Sequence, residues 1–393
     1  MKYWRGYLAA GIFGLIALAF MKLGIQHWTL VDMVYPYVTR TLQDMLVGWS
    51  SGVDFCLWQV LLVLLGVLVL ASIVLMVVFK WNPFQWFGWV LAVVSGIFML
   101  NTLIYGLNNY SGPISTDVRM ETAEYSSTVE ELDQAMLYYQ GRANEYAAQV
   151  SRDADGHAAY GDFETLAEEA AAGFEYLVYE KSFSVFAGSN EPVKELAWTG
   201  YYSPKGVTGL FCAITGEAAV NPEIPDVCLP FAMCQVMARR KCISANGDAN
   251  FAAFLACRYN DSVEFKYSAY LMAYRYCMDA MESFNSSITD ALAAEAALTE
   301  SDLLRADLKA VEEFFAGKDS DLLSAISENV YIDAIGWLAG EDDENVPVYD
   351  SASDLLVNWY IQEIVLPSQE EEKEKFDPFD PNQVDLTGLA NAQ

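Results

Sequence analysis

Residues 55–79 read FCLWQVLLVLLGVLVLASIVLMVVF, 25 consecutive positions without a charged side chain. About 20 apolar residues in a helix cover the roughly 30 Å of hydrocarbon in a bilayer, so this stretch predicts a transmembrane helix. After a short turn containing Lys80, residues 86–105 (WFGWVLAVVSGIFMLNTLIY) supply 20 more uncharged positions and predict a second. Toward the N-terminus, residues 7–24 are apolar up to Lys22 and predict a third. For that stretch the alternative is a cleaved signal peptide, with Lys2 and Arg5 as its basic start. Its small-residue site, Ala17-Leu18-Ala19, lies inside the apolar run rather than after it, which favours the span.

Flanking positive charge sets orientation. Lys2, Arg5 and Lys80 fall on one side, the cytoplasm by this rule. Lys22 and Arg40 border the other side, so the bias is modest. It places everything after about Leu107 outside. Trp4, Trp28, Trp58, Trp81, Trp86 and Trp89 crowd the span edges, as an interfacial belt does. Neither later span carries a mid-span Asp, Glu, Lys or Arg, which disfavours an ion or proton pathway. Between the first two spans, Val31, Val34, Tyr35, Val38, Leu42, Met45 and Leu46 recur at helical spacing. An amphipathic helix along the membrane surface is expected there, with a plain re-entry loop as the alternative.

Charge divides the chain at Tyr110. Residues 1–110 carry five Lys/Arg and three Asp, a net of +2; the remainder carries 17 Lys/Arg and 50 Asp/Glu, a net of −33. Such an acidic second half repels nucleic acid and anionic lipid, so neither is expected as its partner. The predicted organisation is a membrane domain over 1–110, a linker over 111–126, an extracytoplasmic domain over 127–366 and a disordered acidic tail over 367–393.

The outer domain reads as mainly α. Ser127-Thr128-Val129-Glu130 fits a capping box, and Val129, Leu132, Met136, Tyr139, Ala143, Tyr146 and Val150 continue as a one-sided stripe. A second amphipathic helix runs from Phe163 to Val178. Residues 207–220, between glycines and rich in β-branched and aromatic side chains, predict a short strand or hairpin. Helix returns over 228–242, 249–258, 266–284, 290–315 and 351–364.

Only His27 and His157 are present, so a His/His metal pair cannot form from the outer half of one chain. No Gly-x-Ser-x-Gly or phosphate-loop motif appears. Six cysteines lie in the outer half: Cys212, Cys228, Cys234, Cys242, Cys257 and Cys277. An even number outside the cell permits disulfides, Cys212 with Cys228 among them; buried small apolar residues are the simpler reading. There is no C-x-x-C zinc pair.

The segment Pro230-Phe231-Ala232-Met233-Cys234-Gln235-Val236-Met237-Ala238-Arg239, continued by Asp248-Ala249-Asn250-Phe251-Ala252-Ala253-Phe254-Leu255-Ala256-Cys257, resembles a family of bacterial membrane proteins called domain of unknown function 3810. Those members are zinc-metallopeptidase-like and read P-F-T-x-C-H-E-x-A-H, then E-A-N-F-x-A-x-L-A-C, at the same spacing. Gly106-Leu107-Asn108-Asn109-Tyr110, Gly209 with Thr215-Gly216-Glu217-Ala218 and Asn221, Lys266-Tyr267-Ser268-Ala269-Tyr270-Leu271, and Tyr349-Asp350-Ser351 to Trp359-Tyr360 agree with other patches. The resemblance covers roughly residues 1–366, with the middle patch the specific one. It implies three spans followed by a mostly helical metallopeptidase-like domain.

It also implies a degenerate site. In the family two histidines at i and i+4 hold Zn²⁺, the intervening Glu is general base, and a Glu on the next helix completes the ligands. Here Gln235, Val236, Arg239 and Asp248 stand at those positions, so no zinc cofactor is expected. An Arg239–Asp248 ion pair in the metal's place is one expectation; Arg239 and Arg240 facing solvent is the other. Cys234 and Cys242 flank the site as possible thiolates. The expected function is a pseudopeptidase, a membrane-held binding or scaffold module of the cell envelope. Its partners would be the bilayer and an extended peptide or envelope protein. Thr215, Glu217, Tyr267 and Tyr270 are the candidates to touch a peptide, with core packing as the alternative for each. A hydrolase with a non-standard metal site and a purely structural protein whose cleft is filled are the competing functions.

Overall fold

The computed structural model describes residues 2–120, 127–284, 286–316 and 351–368. Three helices are long and apolar enough to cross a membrane: α1 (Arg5–Gln26), α3 (Leu57–Val78) and α4 (Pro83–Ile104). The helix α2 (Trp28–Ser50) joins the first two. α4 starts cleanly because Pro83 needs no N–H partner and the Asn82 side chain accepts from Phe84 N and Gln85 N. α1 and α4 pack with their backbones nearly touching. A Cβ on Gly6 would lie 2.4 Å from the Gly88 carbonyl carbon, so only glycine fits. The Tyr7 and Phe84 rings, 4.5 Å apart, close the cytoplasm-predicted end of that pair. α3 has none of its most apolar window buried and meets α4 where Trp86 Nε1 donates to Ser72 Oγ at 3.0 Å.

The second half is mostly helical around one core, as its apolar periodicity predicts. After a short helix α5 (Ile114–Asp117) come α6 (Val129–Ala147) and α7 (Phe163–Tyr179). Next are the strand β1 (Lys194–Glu195), a one-turn helix α8 (Thr199–Tyr202), and the strands β2 (Gly209–Cys212) and β3 (Glu217–Val220). Then follow α9 (Leu229–Arg240), α10 (Asn246–Arg258), α11 (Val263–Ser283), α12 (Ser287–Leu298), α13 (Asp302–Phe315) and α14 (Ala352–Tyr360). α10 buries an apolar run, Phe251 to Cys257, between α7, α9, α11 and α14, and keeps Asn246 and Asn250 half-exposed on its α9 side. Its alanines permit close approach: a Cβ on Gly173 of α7 would sit 1.9 Å from the Ala256 carbonyl oxygen.

The expected hairpin is β2–β3, paired antiparallel from Gly209↔Val220 to Cys212↔Glu217. β1, too short to read from sequence, adds in parallel on the other side of β3, giving the order β1-β3-β2. The capping box forms one residue later than its sequence reading, with Thr128 and Glu131, because Ser127 is taken by Asp354 through N–H and hydroxyl bonds of 3.0 and 2.7 Å. The run expected over 290–315 is divided into α12 and α13, where the Ser301 hydroxyl caps the second. Within the expected linker 111–126, Ile114 and Val118 reach into the core, while 121–126 lie outside the described residues. Most of the expected tail, 369–393, lies outside them too.

α2 is fixed to this domain by its polar side. Arg40 donates to the carbonyls of Lys241 (3.2 Å) and Ser184 (3.1 Å), Gln43 donates to Ala213 O (3.2 Å), and Asp44 accepts from Ser189 N (2.6 Å). Gly216, at φ +71° in the β2–β3 turn, lets that turn sit directly on the α2 backbone.

Candidate functional site

α9 carries Gln235 and Arg239 one turn apart, and α10 carries Asn246 and Asn250 one turn apart. Residues at i and i+4 share a helix face, so the two pairs meet across the α9–α10 contact. The Gln235 amide donates to Asn250 Oδ1, and the Arg239 guanidinium donates to Asn246 Oδ1 and to Ser244 O (3.2 Å). Tyr105, just past the last turn of α4, donates its hydroxyl to Arg239 O at 2.9 Å and lays its ring 5.0 Å from Phe211 of β2.

Beside this polar ladder lies a cavity of about 550 Å³, walled by α9, α11, the end of α4 and the segment 206–211. Among the described residues its charged lining is Arg239, Arg275 and Asp279, whose carboxyl is pushed up by burial and held back by Arg275. β2 forms one wall and, among the described residues, has a single strand neighbour, β3. Asn221 N donates to Thr208 O, so the alternation of an antiparallel ladder turns the N–H and C=O of Gly209 and Phe211 outward.

Val236, at the position where the resemblance places a general base, is buried, and its Cγ1 would lie 2.8 Å from a Cβ on Gly209. It packs the underside of β2 and has no acid–base chemistry. Asp248 is turned away from Arg239. It sits in the first turn of α10, accepts from Ile114 N (3.1 Å) and borders a separate cavity of about 280 Å³ with Asp32 and Asp117. The expected Arg239–Asp248 ion pair is absent among the described residues, because the α10 face toward Arg239 carries the asparagines. Arg240 does not face solvent either. It is buried and donates to the carbonyls of Ser189 and Glu191, and burial lowers its guanidinium pKa to about 10.

An amide, an isopropyl group and a guanidinium do not suit a Zn²⁺ ligand set, since none offers an anionic or imidazole donor. Among the described residues no three His, Cys, Asp or Glu side chains gather as a metal-binding group. All seven cysteines are free thiols. Burial pushes Cys228, on the cavity wall, up to about 12 and Cys242 up to about 11, so both stay protonated at neutral pH.

The four residues expected to touch a peptide do not line the cavity. Thr215 is buried in the β2–β3 turn. Glu217 is buried in β3, where it pairs with Lys194 (2.7 Å) and accepts the first N–H groups of α3, from Leu57 (2.8 Å) and Trp58 (2.9 Å). A carboxylate at a helix N-terminus meets both unpaired donors and the positive end of the helix dipole. Lys194 also donates to Ser50 O and Phe55 O, so this pair ties the sheet to the membrane segment. Tyr267 donates to Asp307 (2.6 Å), which is paired with Arg152 (2.7 Å). Tyr270 stacks on Tyr146 with ring centroids 5.6 Å apart inside the core.

Sequence reading missed Asn246, Asn250, Tyr105 and Arg275. The i, i+4 repeat of asparagines on an otherwise apolar helix was a usable signal; the other two are brought in by tertiary packing alone.

No curated protein and no solved structure matches the chain. A family model described as protein of unknown function (DUF3810) matches residues 31–333, from α2 through α13 and beyond. The matched region takes in both faces of the cavity and most of the chain, and the protein therefore belongs to the DUF3810 family.

Proposed function

We propose that this protein is a membrane-anchored pseudopeptidase, a module that binds an extended polypeptide at the cell envelope without cleaving it. The observation that carries the reading is the pairing of a half-buried strand, at the sheet edge among the described residues, with a chemically silent wall. Gly209 and Phe211, whose N–H and C=O groups face away from β3, line a cavity of about 550 Å³. Across it, the positions of the resembled zinc site hold Gln235, Val236 and Arg239, engaged with Asn250, Gly209 and Asn246. An extended chain added to β2 gains main-chain hydrogen bonds, and the aromatic and polar lining reads its side chains. With the charge bias of the spans, this face is assigned to the extracytoplasmic side.

Binding is testable on the full chain in lipid nanodiscs with a panel of fluorescent, unstructured decapeptides read by anisotropy. Phe211→Pro removes one outward N–H, and Pro is tolerated on an edge strand when that N–H points away from its neighbour. Its loss should weaken binding about tenfold, the equivalent of one hydrogen bond. Phe211→Leu controls for the side chain and should retain most affinity. Equal affinity of wild type and Phe211→Pro would exclude strand addition. Binding by none of the panel would count against the peptide reading in favour of a structural role.

A further inference from the structure

α2 is built inside out for a helix on a water-facing surface. Its three charged residues all turn toward protein: Arg40 is buried, Asp32 accepts from Gly112 N (2.8 Å) and Asp44 accepts from Ser189 N. The opposite face carries Leu30, Met33, Val34, Tyr37, Val38, Met45 and Trp49, all exposed, with the small Thr41 among them. Met33 is 70%, Met45 69% and Trp49 80% exposed. No charged side chain interrupts this stripe along a helix of 23 residues, about 34 Å at 1.5 Å per residue. A contiguous apolar face of that length marks an interaction surface.

This stripe is displaced from the one expected from sequence. Of the residues in that expected stripe, Val34, Val38 and Met45 lie on the exposed face, while Val31, Tyr35, Leu42 and Leu46 are half-buried on the protein side. The exposed face is rotated by about one residue, roughly 100°, from the expected one, because Thr39, Arg40 and Gln43 fix the helix to the folded domain.

Both ends of α2 are tied to span termini. His27 alone separates it from α1, and the six residues 51–56 join it to α3, whose N-terminus is held by Glu217. A helix whose ends lie at one bilayer boundary, and whose polar side is fixed to the folded domain, directs its other side at the bilayer.

We infer that α2 is an in-plane membrane anchor whose Leu30–Trp49 face is immersed in the leaflet beneath the folded domain. Continuity with α1 and α3 selects lipid as the occupant. Immersion to about 5–10 Å, the usual depth of an interfacial helix, removes the stripe from water. The anchor holds the domain flat on the membrane and sets the wall formed by Tyr105 at the level of the bilayer surface.

The test places a diazirine-bearing amino acid at Met33 or Met45, and as a control at Leu137, an exposed residue of α6. The full chain is reconstituted in phosphatidylcholine–phosphatidylglycerol nanodiscs, irradiated and read by intact mass. Phospholipid adducts should be the main product at Met33 and Met45, and water addition the main product at Leu137. Water addition at Met33 and Met45 would overturn the inference. A crosslink between two copies at those positions would also overturn it, assigning the face to a dimer.

Discussion

Two polar clusters in the folded domain differ in what closes them. The Lys194–Glu217 strut is sealed: the carboxylate meets an ammonium and two helix N–H groups, and nothing of it is left for a ligand. The Gln235–Asn250 and Arg239–Asn246 ladder is open, its headgroups half-exposed on a cavity. Glu217 looks functional by residue type and serves as a tie between the sheet and α3. Gln235 looks inert and borders the cavity. A polar side chain is committed by the elements that converge on it, and its identity alone does not say which.

The comparison breaks most readily at the strut. Glu217→Ala leaves Lys194 buried beside two unpaired helix donors and should cost about 3–5 kcal/mol of stability, read by chemical unfolding in nanodiscs. Gln235→Ala removes one half-exposed bond and should cost about 1 kcal/mol or less. Equal losses would erase the distinction between sealed and open. Lys194→Met combined with Glu217→Leu should recover much of the loss, since two matched apolar groups leave no stranded charge.

The underside of the open wall comes next. Gly209→Ala drives a methyl against Val236 and should destabilise by about 1–3 kcal/mol. Val236→Ala makes room for it, so the double variant should be more stable than the sum of the singles requires. Strict additivity would show that the two side chains do not meet.

A third cluster lies between the two in character. Lys241 is buried with carbonyl partners on Gly188 and Ser189 and the amide of Asn190, and among the described residues no carboxylate bonds it. Burial first, then Arg240 and Arg40, lower its pKa to about 7 from the usual 10.5. A depressed ammonium means that the unfolded chain binds the extra proton above pH 7. Stability should therefore rise with pH from about 7 upward, by at most about 1.4 kcal/mol per unit from this group. Lys241→Met should flatten that rise between pH 7 and 8, below the pH at which the thiols of the unfolded chain ionise appreciably. An unchanged slope would mean that the ammonium is hydrated.

Much of this fold was legible because its signals are local. Hydropathy alone marks residues 55–79 and 86–105, since lipid needs no specific partner. The Gly-bounded run 207–220 announces a hairpin because turn and strand preferences agree. What escaped reading depends on distant chain. β1 is two residues, Lys194 and Glu195, with no strand signature of their own. Glu217 acquires its role from Leu57, 160 positions earlier. Tyr267 and Tyr270 are polar-tipped aromatics that packing turned inward. Resemblance singles out Gln235, Val236 and Arg239 for attention, while the asparagines that meet two of them were not legible as their partners, because the orientation of α10 is set by its neighbours.

The most direct test of a silent cleft is cleavage itself. Freshly purified full-length protein in nanodiscs, assayed by mass spectrometry against the decapeptide panel with and without added Zn²⁺, should leave every peptide intact. Cleavage that a chelator abolishes and Zn²⁺ restores would contradict the reading.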